Sequence, residues 1–350
     1  MDRETPFTIS FGHFNHSRVG LSSMGLLTKL LNPLADKRPP SRVGLQLSPD
    51  HIQMVSLRYH GQQKPCLERY ERLNSTKHPK QALLDAVKKY RLNQCPTTLL
   101  LTPQTYQLFS IPAPDLPREE WQEAMQWQIQ DHIDDPASEM VVAFFETPPA
   151  APVQTDDQQG SLYVAAARET MLRKQSLLIH RCGLDLTTIT IPEMALTALT
   201  NPLPEQSTGF ALLQLDEEGG LLLIIRQQML YLARRLFNRP LSRSAAKHRY
   251  SSFSQEEILL EIRRTLDFFE GNFNLPAVSV LYLMPMTQPY ANLHELMDGQ
   301  LKLSVKLLDI RQQIHLSPGL SNQDLTAALP LIGAALSGVS SWQHPSGERG

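Results

Sequence analysis

The sequence has no apolar run of the roughly 18 residues that a membrane-spanning helix needs; Ala327–Val339, the best candidate, is too short. Cysteine is scarce. Cys66, Cys95 and Cys182 form an odd, scattered set without CxxC spacing. That excludes a disulfide framework or a zinc knuckle and agrees with a reducing cytosol. A surplus of one charge is also lacking: 33 Lys and Arg stand against 35 Asp and Glu, so bulk charge points to neither nucleic acid nor membrane. No GxxxxGK[ST] loop, GxGxxG turn, HExxH or GxSxG motif occurs. The eleven histidines are dispersed, and the carboxylates fall mostly on expected helix surfaces and in turns. No pair is marked out for acid–base work, so no cofactor, metal or catalytic residue is expected.

What is present is an α/β pattern. A length of 350 residues suggests about two domains. Two stretches share one shape. Val43–Leu47, His51–Arg58 and Cys66–Leu73 read as three strands joined by turns at Ser48–Asp50 and at His60-Gly61. Phe210–Leu215, Leu221–Arg226 and Met229–Leu236 repeat that pattern around turns at Glu217–Gly220 and Gln227-Gln228. Each meander opens one half of the chain.

Between and after the meanders, helices and buried strands alternate. Lys80–Tyr90 reads as a helix, Thr97–Thr102 as a buried strand and Gln107–Pro112 as a further strand. From Pro117 a helix carries Trp121, Met125, Ile129 and Ile133 as its buried stripe, with Trp127 off that stripe. Trp127 is either a peripheral core contact or an exposed aromatic anchor for a partner. Strands follow at Val141–Phe145, Leu162–Ala167 and Leu186–Ile191, and helices at Glu169–Arg181 and Glu193–Leu199. In the second half, Ser254 and Glu257 fit a capping box at the head of a long helix. Val278–Leu283 and Leu303–Leu308 read as strands, and Gln323–Ser337 as a closing helix. Gly25–Leu34 is a short amphipathic stretch, and Met24 reads as a second start. Residues 146–161 and 238–253 are Pro/Gln-rich and basic loops, and 342–350 is a loose tail.

Several words in this order resemble the PilM/MshI family of actin-like type IV pilus-assembly proteins, above all its branch for mannose-sensitive haemagglutinin pili. They include VGLQLSPDHIQMVSL at 43–57, REEWQEAMQWQIQDHI at 118–133, LYVAAARE at 162–169, CGLDLTTITIPEMALTAL at 182–199, LLLIIRQQMLYLARRL at 221–236 and EEILLEIRRTLDFFE at 256–270. The resemblance covers about 44–337. It implies an α/β, two-lobed actin-like ATPase (ribonuclease H-like) fold with an inserted strand–helix–strand subdomain. The implied division is an extension at 1–42, a first lobe at 43–205 with its insert at about 107–191, a second lobe at 206–327, and a closing helix with a tail at 328–350.

In that family the first turns of the two meanders clamp nucleotide phosphates. The first runs Asp-x-Gly with a Lys five residues on; Gln46, Ser48 and Gln53 stand there. A neutral Gln offers no charge to a hard cation, and Pro49 removes one N–H donor. In the second, Gln214, Asp216 and Gly219 stand at the corresponding places. The resemblance therefore implies a pseudo-ATPase without cofactor. It would be a cytoplasmic scaffold, peripheral to the inner membrane at most, that docks the cytoplasmic tail of a PilN-like inner-membrane protein and ties it to the assembly ATPase motor. The tail would enter the groove between first lobe and insert, with Trp127 as the candidate contact and no nucleic acid involved. An active actin-like ATPase, leaning on Asp50 and Asp216, a type II secretion platform component, and an unrelated adaptor of the same fold remain alternatives.

Overall fold

The computed structural model describes residues 41–60, 63–133, 135–147, 161–216, 219–236, 254–273, 275–285, 293–316 and 320–337. The amphipathic Leu26–Leu31 segment, the basic loop, the C-terminal tail and nearly all of the Pro/Gln-rich loop lie outside them.

Both meanders form, and each leads into a larger sheet. In the first lobe β1 (Ser41–Leu47), β2 (His51–Arg58) and β3 (Cys66–Asn74) pair antiparallel. Helix α1 (Pro79–Lys89) then crosses to β4 (Pro96–Leu100), which lies parallel to β1. In the second lobe β9 (Phe210–Asp216), β10 (Gly219–Arg226) and β11 (Met229–Leu236) repeat the meander. Helix α5 (Gln255–Phe273) crosses to β12 (Val280–Leu283), parallel to β9. Its head is the reciprocal capping box read from the sequence: Ser254 N–H donates to Glu257 (2.8 Å) and Glu257 N–H to Ser254 Oγ (3.2 Å).

A three-stranded sheet is inserted between β4 and the rest of the first lobe. β5 (Gln107–Pro112), β6 (Met140–Glu146) and β7 (Ser161–Arg168) pair with β7 in the centre. The expected helix from Pro117 is broken into a 3-10 turn, α2 (Trp121–Gln128) and a second 3-10 turn. Met125, Ile129 and Ile133 still bury their stripe against this sheet. β7 explains the continuous apolar run LYVAAA, because both its faces are covered. Leu162, Val164 and Ala166 pack with Met125 and Ile129, while Tyr163, Ala165 and Ala167 pack into the main core.

Helix α3 (Glu169–Arg181) then leads to β8 (Asp185–Thr190), which pairs parallel with β4. The inserted unit therefore ends at Arg168 and not near 191, because the β8 backbone completes the first-lobe sheet. After β8 comes α4 (Pro192–Ala198). In the second lobe α6 (Leu293–Gln300) and β13 (Ser304–Leu307) play the corresponding parts, followed by the two-residue β14 (His315–Leu316), which pairs with the edge of β3. Neither α6 nor β14 is legible in the sequence pattern. The first is eight residues long, and the second is a two-residue pairing with β3 from which Leu316 packs against the main core.

The last helix, α7 (Asn322–Ser337), packs against β1 and α4, while α4 reaches β10 and β11 of the second lobe. Glycines set this approach. A Cβ on Gly44 of β1 would lie 2.2 Å from the Leu331 carbonyl oxygen, and one on Gly333 of α7 would lie 2.0 Å from the Ala195 carbonyl oxygen. Both obstacles are backbone, which cannot swing aside. Gly333→Ala is expected to lower unfolding free energy by about 3 kcal/mol, at the upper end of ordinary overpacking, read as a lower urea midpoint. An unchanged midpoint would mean that α7 does not dock in this way.

Candidate functional site

In open α/β sheets, ligands meet the carboxyl ends of the parallel strands. β1, β4 and β8 are parallel, so the first meander's turn, the segment after β4 and the start of α4 share one edge. In the second sheet β9 and β11 both run antiparallel to β10. The last residues of β11 therefore lie on the same edge as the turn after β9.

These two edges are joined by a buried polar clamp that the sequence reading missed. Tyr106, from the segment between β4 and β5, donates to Glu193 Oε2 (2.5 Å). Arg235, near the end of β11, donates to Glu193 Oε1 (2.7 Å) and also contacts the Tyr106 hydroxyl. Glu193 occupies the first turn of α4, has no exposed surface, and is the one fully buried carboxylate among the described residues. A lone buried carboxylate is costly; here both its oxygens accept a bond, and one donor carries the opposite charge. Burial first, then the Glu193 charge, pushes the Tyr106 phenol well above its usual range. Burial of Arg235 works against its charge, but Glu193 and Tyr106 outweigh it and hold the guanidinium pKa above its ordinary value. In the sequence Glu193 shows only as an acid in the first turn of a short helix, a common surface pattern, although it stands inside the apolar word IPEMALTAL.

Three further bonds reinforce the seam. Ala233 N–H of β11 donates to the Tyr163 hydroxyl of β7 (2.9 Å), which ties the insert to the second lobe. Glu205, in the connection between lobes, accepts from Tyr282 (2.6 Å) and Lys306 (2.8 Å). Against the cost of its burial, the bonds from Lys306 and Tyr282 leave the Glu205 carboxyl below its ordinary pKa.

The expected nucleotide positions lie on the same edges. Gln46 and Gln53 face each other as cross-strand partners. Ser48 N–H donates to the His51 carbonyl (2.9 Å), so this amide closes the turn on itself, and Pro49 has no N–H to offer. His51 links its neighbours: its Nδ1 lies 2.7 Å from Asp50 Oδ1 and its Nε2 lies 3.3 Å from Gln53 Nε2. The arrangement fits the tautomer with Nδ1–H donating to Asp50 and Nε2 accepting from Gln53. That bond from His51 is the main reason the Asp50 carboxyl sits below its usual range. In the second lobe β9 and β10 stay paired up to Asp216 and Gly219, with Gln214 opposite Leu221. The two residues between, and the Asp216 side chain, lie outside the described set. Trp127 stands apart from all of these on α2, with 75% of its surface exposed.

Neither a protein-family model nor a curated protein matches the chain. Among solved structures it is similar to a PilM–PilN type IV pilus biogenesis complex at 20% identity, covering 86% of this chain and 97% of that one, with a TM-score of 0.61. It also matches the cytoplasmic domain of EpsL, an inner-membrane component of the Vibrio cholerae type II secretion system (15% identity, 83% and 94% covered, TM-score 0.44). A Bacteroides thetaiotaomicron protein with an actin-like ATPase fold matches at 9% identity, 83% and 97% covered, TM-score 0.46. The chain has the two-lobed actin-like ATPase fold. Among the described residues no helix is long and apolar enough to cross a membrane, and no cluster of His, Cys, Asp and Glu could hold a metal ion.

Arg235→Met leaves Glu193 buried without its cation. The expected loss is about 3 kcal/mol, the low end for an unpaired buried charge because Arg235 is itself partly exposed. The double variant Glu193→Met, Arg235→Met should recover most of it; a double variant as unstable as the single would assign the effect to packing. The Tyr106 pKa is raised in the fold, so its contribution is fully present below the unfolded-state value of 10.0 and falls as pH rises above it. Tyr106→Phe should flatten the alkaline limb of a stability–pH curve above about pH 10. A limb identical to wild type would remove Tyr106 from that role.

Proposed function

We propose that this chain is a non-catalytic, cytoplasmic scaffold of type IV pilus assembly, of the mannose-sensitive haemagglutinin kind, that docks the cytoplasmic tail of a PilN-like inner-membrane protein and links it to the assembly motor. The observation that carries the non-catalytic part is the first turn. Its Ser48 amide is bonded within the turn, Pro49 has no amide hydrogen, and Gln53 lies against His51 where a phosphate-binding Lys would reach outward. The clamp supports the same reading, because Glu193 and Arg235 already hold the two lobes at the edge where a nucleotide would bridge them. The likeness to PilM in its complex with PilN supports the pilus assignment, together with the ordered words shared with that family.

Docking would use the border between first lobe and insert from outside. Within the seam β7 is packed into the main core through Ala165 and Ala167, and only a water-sized cavity of about 10 Å³ remains beside Tyr106 and Thr190. Trp127 lies on α2, which covers the insert face turned away from the first lobe, so it would anchor only a tail that continues from the border over the insert's outer face. Aromatic side chains commonly carry much of the energy of such contacts.

Calorimetry of the full chain with Mg-ATP should give no heat, and millimolar nucleotide should not move its melting temperature. A ligand at 100 times its Kd would add about 2.7 kcal/mol, so micromolar binding would be plain and would make the chain a nucleotide-gated switch. With a synthetic PilN-like tail as titrant, Trp127→Ala should weaken binding by about 2 kcal/mol. Unaltered tail binding by the folded variant would remove Trp127 from the interface.

A further inference from the structure

The edge of the first-lobe sheet opposite the clamp holds a second concavity. Helices α1 and α3 both end there, at the start of β4 and β8 respectively. Between their ends lies a pocket of about 530 Å³, lined by Leu84, Val87, Lys88, Arg91, Asn93 and Arg181, with Cys182 and Gly183. That volume is in the range of small-molecule sites. Three of its walls are cationic and none is acidic. Asp85 on α1 and Asp185 at the start of β8 lie outside the lining. Among the described residues Lys88, Arg91 and Arg181 are exposed and make no ion pair or side-chain hydrogen bond.

The helix dipole accounts for a cation in each last turn, Lys88 in α1 and Arg181 in α3. It does not account for Arg91. Both helices stop in the same way. In α3, Gly183 N–H donates to the His180 carbonyl and Leu184 N–H to the Ile179 carbonyl, and Gly183 takes the left-handed conformation at φ 87°. In α1, Arg91 N–H donates to the Lys88 carbonyl and Leu92 N–H to the Val87 carbonyl, and Arg91 takes φ 56°. These are two copies of the Schellman stop, whose left-handed residue is ordinarily glycine. One copy has glycine; the other holds an arginine in a backbone conformation that L side chains resist. Gln94, three residues on, is also left-handed at φ 59°, so the backbone alone does not mark a site. What sets Arg91 apart is that its side chain lines the pocket and makes no hydrogen bond or ion pair among the described residues.

We propose that this pocket binds a phosphoryl group. Two guanidinium groups offer paired N–H donors matched to phosphate oxygens, Lys88 adds a point charge, and the Asn93 carboxamide adds a neutral donor. Leu84 and Val87 supply an apolar wall for whatever carries the phosphate. An open depression of this kind suits a small phosphate ester or a phospholipid headgroup. The pocket is independent of the pilus reading, and it stands on the opposite edge from the degenerate turns.

The full chain would be titrated with inorganic pyrophosphate in one arm. In the other it would be sedimented with vesicles of equal parts phosphatidylglycerol and phosphatidylcholine, against phosphatidylcholine alone. Binding in the first arm assigns a soluble phosphate ester, and binding in the second alone assigns a headgroup. In either arm Arg91→Gly should weaken binding about tenfold and raise the urea midpoint, because glycine relieves the left-handed residue. The combined Lys88→Ala, Arg91→Gly, Arg181→Ala variant should abolish binding. The proposal is overturned by wild-type protein that binds in neither arm, or by Arg91→Gly protein that binds as wild type does.

Discussion

One buried carboxylate organises the molecule. Glu193 lies with no exposed surface where the first lobe, the insert and the second lobe converge, and charge in such a place is tolerated only when its bonds are complete. Tyr106 and Arg235 complete them. To bring both to one carboxylate, the segment after β4, the first turn of α4 and the end of β11 must hold a fixed relation. The apolar contacts agree with that relation. One face of the second-lobe sheet, including Phe210, Leu212 and Leu223, belongs to the same core as Leu45 and Leu99 of the first. The reciprocal reach of α4 toward β10 and β11, and of α7 toward β1, closes the arrangement.

Much of this architecture was legible in the sequence because its signals are local. Strands of a meander alternate or run apolar, turns carry Pro, Asp, Gly and Gln at the expected places, and the Ser254–Glu257 box announces α5. The failures were of another kind. Glu193 reads as an acid at a helix start, which is a common surface pattern; only the meeting of three distant segments makes it a core residue. β8 reads as a strand, but nothing in its sequence says that it pairs with β4 and not within the insert. The apolar stripe of the segment from Pro117 is legible in the spacing, but its division into a 3-10 turn, α2 and a second 3-10 turn is not. Arg91 gives no sign in the sequence of its left-handed backbone, since the usual sign is a glycine.

The two ends of the first-lobe sheet differ in what they offer a ligand. At the carboxyl edge, the turn that would cradle phosphates closes on itself through Ser48 and His51. At the amino edge, unpaired cations surround an open pocket. On the scaffold reading proposed above, a two-lobed fold held together by its own side chains would act as a rigid body, with recognition at the insert and the outer edge. Rigidity suits a part that must hold partners in register, whereas a switch needs two states within a few kcal/mol of one another.

The central claim is that the lobes are held by the chain's own side chains and not by a nucleotide. Spin labels placed on exposed positions of α3 and α5, one in each lobe, would report the separation of the lobes by double electron–electron resonance. The account predicts one narrow distance distribution, identical with and without Mg-ATP, that broadens in Arg235→Met protein. A distribution that is broad in the wild type and narrows when Mg-ATP is added would contradict it.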